Sequence, residues 1–243
     1  PSGRQLLQIV LLGLTGVFSY NYFFFTGLSY IDAGRAALII AITPLVITIF
    51  STLFLREQLT VMKLCGILLS LTGAVFVISN GHPTMLLSGE FGTGELALLG
   101  CVISWTLYTI IGRSLLQTMS PLVSVYYSAL AGTLLLTFPA ISDGLIKQLA
   151  DTRLQDWASL IYLGVFGTAV GFSWYYKGVQ NIGASRAAIF INLVPVFGML
   201  LSWLLLSESL KPSVISGGAM VLTGVFIANN QALQKKFRTK GKI

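Results

Sequence analysis

Charge is what this chain has least of. Only 9% of its 243 residues are Asp, Glu, Lys or Arg, 55% are hydrophobic, and the mean hydropathy is +0.83. A soluble domain carries about 25% charged residues, so that class is excluded. Histidine is nearly absent: His82 stands alone, between Gly81 and Pro83 in a loop. The two cysteines, Cys65 and Cys101, fall inside apolar runs without metal-ligand spacing. Both read as small packing residues, and no metal, cofactor or structural disulfide is expected. An acid at membrane depth is also missing. The carboxylates Asp32, Glu57, Glu90, Glu95, Asp143, Asp151, Asp156 and Glu208 all sit in loops or at span ends. With no acid pair, His/Glu cluster or nucleophile with its base at depth, neither an intramembrane hydrolase nor a carboxylate proton relay is supported.

What the chain does have is apolar length. Runs of about 20 residues, enough to cross a hydrocarbon core of roughly 30 Å, recur at 6–27, 33–53, 61–78, 93–115, 121–141, 156–179, 184–205 and 212–228, here spans A to H. Backbone amides cannot stay unpaired in lipid, and barrel strands alternate polar with apolar residues over about 10 positions. These continuous runs therefore predict an all-α, polytopic membrane bundle. Pro121 after Ser120 and Pro212 after Lys211 suit first helical turns.

An ungapped internal repeat at an offset of 151 organises the spans. AGRAA at 33–37 pairs with ASRAA at 184–188, LREQL at 55–59 with LSESL at 206–210, and LTG at 71–73 with LTG at 222–224. In the same register Pro44 pairs with Pro195, Gly66 with Gly217, and Gly13, Gly16 and Gly27 with Gly164, Gly167 and Gly178. This is the signature of a duplicated unit. A, B and C match F, G and H. Five spans separate each from its copy, an odd number, so the copies must cross the membrane in opposite directions, an inverted repeat. The sequence thus predicts a 5+5, ten-helix protein seen as eight helices. Residues 1–80 hold the last three helices of the first repeat, 93–229 the second repeat, and 230–243 a basic tail.

Placing that tail in the cytoplasm and alternating sides puts 11 of the 15 Lys and Arg residues inside and 4 outside, as the positive-inside rule requires. Both termini are expected to be cytoplasmic in a multi-pass cell-membrane protein, a bacterial inner membrane by expectation. The tail is explained by topology and anionic lipid headgroups rather than by nucleic-acid binding.

The 5+5 arrangement, the AxRAA opening of spans B and G, their mid-span proline, the E-x-L ending and the G-x4-LTG final helix together resemble the drug/metabolite transporter superfamily, EamA-type branch. The resemblance implies a secondary transporter, often an exporter of amino acids or other small metabolites, working by alternating access.

Candidate functional residues follow from the spans themselves. Tyr20, Phe23 and Trp174 interrupt the glycine faces of spans A and F, which read either as packing seams or as cavity walls. Trp105 and Tyr108 lie near mid-span in D, where interface anchors would not cluster. Asn21 and Asn192 are the most polar groups at depth, suited to an interhelical hydrogen bond or to substrate. Pro44 and Pro195 each remove a backbone donor at mid-helix and predict paired kinks or hinges. Thr43 is placed to repair the first kink or to face solute. Arg35 and Arg186 open B and G, as snorkelling residues or gate residues, and Glu57 and Glu208 are solvated loop charges or partners across a gate. The expected solute is a small amphipathic metabolite such as an amino acid, because the aromatic, uncharged lining offers no Arg/Lys cluster for phosphate esters. A multidrug exporter or metabolite importer of the same fold, and from another class a channel or nontransporting scaffold, are the alternatives. The oligomeric state is open.

Overall fold

The computed structural model describes residues 2–79, 81–82, 92–142, 144–145, 149, 152–206 and 212–230. Among them lie eight helices long and apolar enough to cross a membrane: α1 (Gly3–Leu28), α2 (Ala33–Ala41 and Thr43–Phe54), α3 (Val61–Ile78), α4 (Thr93–Leu115), α5 (Pro121–Ser142), α6 (Leu154–Ile182), α7 (Ala184–Leu205) and α8 (Pro212–Asn229). No strand occurs among the described residues. α5 and α8 begin on Pro121 and Pro212, where a missing amide costs no helical hydrogen bond. Large apolar side chains such as Leu53, Phe54, Phe138, Leu154, Leu204 and Leu205 point outward. A bundle whose solvent is lipid presents this surface.

The helices are not uniform, and their irregularities recur in the offset-151 register. α1 carries a π-helical stretch at Gly13–Ser19 and α6 one at Leu163–Val170. α2 breaks at Ile42, and α7 tightens into a 3-10 turn at Ile189–Asn192 before resuming at Leu193. Both departures lie just ahead of a proline, Pro44 in one helix and Pro195 in the other. The ring of Pro44 leaves the Ile40 carbonyl without its usual amide partner. The Thr43 hydroxyl donates to that carbonyl at 2.5 Å, so Thr43 repairs the kink.

α3 and α8 make the closest helix pair, through glycine. Gly66 faces Gly224 and Ala228, while Gly73 faces Gly217 and Val221. In the offset-151 register Gly66 matches Gly217 and Gly73 matches Gly224, so each glycine of α3 meets the register partner of the other. Small residues let the two backbones approach where no hydrophobic driving force acts between helices in lipid. α2 and α7 also meet antiparallel. Ser51 near the end of α2 contacts Ser185 at the start of α7, whereas Ala41 lines a cavity with Asn192 and Pro195. The fold therefore has two ends, a Glu57 end and an Arg35 end. At the Glu57 end Gln5 of α1 donates to Thr118 at 3.1 Å, and Arg113 of α4 donates to the Val179 and Gln180 carbonyls of α6 at 2.7 and 2.5 Å.

Candidate functional site

A cavity of about 350 Å³ lies between α1, α2 and α7. The alanines Ala33, Ala36, Ala37 and Ala41 along one side of α2 leave room for it, and Tyr20, Phe24 and Leu28 of α1 form the facing wall. Asn192 and Pro195 close it at mid-depth, and Leu28 and Ala33 lie at its Arg35 end. No charged side chain lines it. The Asn192 side chain is buried, and its Nδ2 donates to the Ser70 hydroxyl of α3 at 3.1 Å. Its Oδ1 has no hydrogen-bond partner. A buried amide oxygen left in that state costs about 1–3 kcal/mol, which a donor brought by a solute would recover.

Behind Tyr20 stands a box of rings. Trp105 of α4 lies 5.2 Å from Tyr20, 4.9 Å from Phe172, 5.3 Å from Tyr108 and 5.4 Å from Tyr175, ring centre to ring centre. Tyr108 is fully buried, stacks on Tyr176 at 4.7 Å, and accepts the Tyr176 hydroxyl at its backbone oxygen. It covers Gly16, whose lack of a side chain admits the ring. Tyr108 is thus core, and Trp105 links core to cavity wall through Tyr20.

Several sequence-based expectations change here. Trp174 does not join the site: it is 73% exposed. Phe172, Tyr175, Tyr176 and Val179 turn inward at helical spacing, which places residue 174 on the opposite side of α6. Phe23 packs over Gly100 of α4 rather than lining the cavity. Asn21 spends its amide on the Val17 carbonyl of its own helix at 2.7 Å. The glycines of α1 are packing positions, with Gly13 against α5 and Gly27 against Leu98. Gly164 of α6 has no neighbour for a Cβ to meet within 4 Å. Cys101 is buried, but Cys65 is exposed and fills no gap.

The charged residues are not loose surface groups either. Arg35 pairs with Glu95 of α4 at 2.7 Å, and Glu95, buried in the first turn, also accepts the Gly92 amide at 2.8 Å. Glu57, expected as a solvated charge or a gate partner, is held by four donors. They are the Ala184 and Ser185 amides at 2.7 and 3.3 Å, the Ser185 hydroxyl at 2.6 Å, and the Lys63 ammonium at 3.4 Å. Burial pushes the Glu57 carboxyl up, yet the Ser185 hydroxyl, Lys63 and the two amides prevail and hold it below its ordinary value. Beside this clamp a recess of about 310 Å³ is lined by Lys63, Arg113 and Arg186. Glu208 lies outside the described residues.

A family model described as the EamA-like transporter family matches residues 1–79 and 92–230. The chain belongs to that family. The EamA chain is 27% identical over 237 residues to a Bacillus subtilis protein named as the uncharacterized transporter YyaM, covering 98% of this chain and 77% of that one. It is 28% identical over 240 residues to a probable terminal-alkyne amino-acid exporter of Streptantibioticus cattleyicolor, covering 97% and 77%. A solved crystal structure superposes with a TM-score of 0.74 over 94% of this chain and 77% of that chain, and at 20% identity it shows a shared fold alone. This is a multi-pass membrane transporter of the EamA family. The cavity and the clamp were only partly legible in its sequence. Asn192, Tyr20 and Glu57 stand out by polarity or register, and Ala33, Ala36 and Ala37 by the AGRAA repeat, whereas Ser70 and Ala41 carry no signal apart from being small.

Proposed function

We propose that the protein is a secondary-active exporter of amino acids or similar small amphipathic metabolites, working by alternating access with both termini in the cytoplasm. The observation that carries this reading is the cavity between α2 and α7. Two helices, each broken ahead of a proline, flank one uncharged chamber that reaches towards the Arg35 end, while the Glu57 clamp joins the same two helices at the other. Interrupted helices around a mid-membrane site are the usual construction of carriers that alternate. Pro44 and Pro195 are the hinges of that movement. Tyr20 and Asn192 contact the solute, its apolar part against Phe24 and Ile40 and its donor on the Asn192 oxygen. The named amino-acid exporter among the relatives supports this substrate class.

Counterflow in reconstituted vesicles tests the proposal. Vesicles preloaded with unlabelled neutral amino acids should accumulate the radiolabelled solute transiently and with saturation. Flux that stays linear with concentration would identify a channel, and no flux for any amino acid or related amphipathic solute would end the exporter reading.

A further inference from the structure

We infer that Glu57 is the latch that keeps the transporter closed at its Glu57 end. The inference rests on the transporter reading above. Glu57 follows α2, in the first repeat, and three of its four donors belong to the opening of α7, in the second. Ser51 and Ser185 touch beside it, so the contact closes a layer between the two helices. The fit is steric as well as electrostatic. Gly183 holds φ +91, and a Cβ there would lie 2.7 Å from the Glu57 Oε1, so both backbone conformation and carboxylate exclude a side chain.

The repeat register places different residues at the positions that correspond to the donors of Glu57. Gly183 corresponds to Asp32, Ser185 to Gly34 and Lys63 to Val214. A carboxylate approaching the opening of α2 would meet a negative side chain where Glu57 meets glycine, and would find neither the hydroxyl nor the ammonium. Like charge costs and missing charge-assisted hydrogen bonds act in one direction. Arg35, at the opening of α2, pairs with Glu95 of α4.

Spin-label distances test the latch without any substrate. Leu59→Cys and Ile182→Cys, in a Cys65→Ser, Cys101→Ser background, place labels on exposed residues at either side of the closed end. In lipid nanodiscs the otherwise unaltered protein should show one short distance. Glu57→Gln keeps the shape but removes the charge, and should raise the ratio of long to short distances about tenfold, the loss of one charge-assisted contact. Ser185→Ala should act in the same direction. Distances unchanged in a monodisperse Glu57→Gln protein would overturn the latch. Failure of both variants to fold would overturn it too, since a gate contact opens without unfolding the bundle. The two readings fail separately: absent counterflow with shifted distances removes the transporter proposal, and saturable counterflow with fixed distances removes the latch.

Discussion

Gly66 and Gly224 oppose each other so closely that a Cβ on the first would lie 2.6 Å from the second's carbonyl oxygen, and a Cβ on the second 2.5 Å from the first's. The obstacle on each side is backbone, which cannot rotate away as a side chain can. Gly66→Val should therefore destabilise the protein by about 1–3 kcal/mol, and Gly224→Val should do the same. Because both act on one contact, the double variant should cost less than the two losses added. Thermal unfolding in detergent, followed in a Cys65→Ser background by the fluorescence of an environment-sensitive thiol dye on the buried Cys101, would measure all three.

That glycine contact also shows how far the sequence reaches. Its four members stand out by their shared 151-residue offset, and the eight spans follow from apolar length alone. Pairing of Gly66 with Gly224, rather than with its own duplicate Gly217, depends on how the helices cross, and nothing local encodes that. The same limit governs the site. Asn192 was conspicuous as an amide in lipid, but its partner Ser70 was one hydroxyl among many. Trp174 was equally conspicuous and faces outward, since the inward face of α6 is fixed by Phe172, Tyr175 and Tyr176. Arg35 and Glu95 are distant in sequence and were each explained by span ends until the packing of α2 on α4 joined them.

Removing the polar pair at the cavity should separate binding from folding. Asn192→Leu deletes the free acceptor and is expected to raise the half-saturation concentration for counterflow about 2- to 10-fold, with a smaller change in maximal rate. Ser70→Ala frees the Asn192 amide but keeps its oxygen, so its effect on half-saturation should be weaker. Equal effects from both would assign the pair to helix packing alone.

Acid should leave the clamp intact longer than an ordinary carboxylate would. A group with a depressed value contributes stability above its unfolded value and loses it as the pH falls through the folded one. The difference in unfolding temperature between wild type and Glu57→Gln should thus be constant from about pH 6 to 8 and should shrink only below the ordinary carboxylate range near 4.3. A difference that already vanishes at about pH 5 would show that the clamp does not favour the ionised form.

The two tryptophans at similar depth offer the sharpest contrast. Trp105 touches four rings from α1, α4 and α6, so Trp105→Ala leaves a void that those rings cannot fill without losing their own contacts. A loss of about 3–5 kcal/mol is expected for such a truncation. Trp174 is 73% exposed, and its replacement by alanine exchanges one lipid-facing surface for another, with an expected change within about 0.5 kcal/mol. Transport should divide the same way. Trp105→Phe keeps most of the ring contacts and should retain the fold while altering half-saturation through Tyr20, whereas Trp174→Ala should leave both half-saturation and maximal rate unchanged. A Trp174→Ala variant that folds but loses counterflow would move the solute path to the outer face of α6.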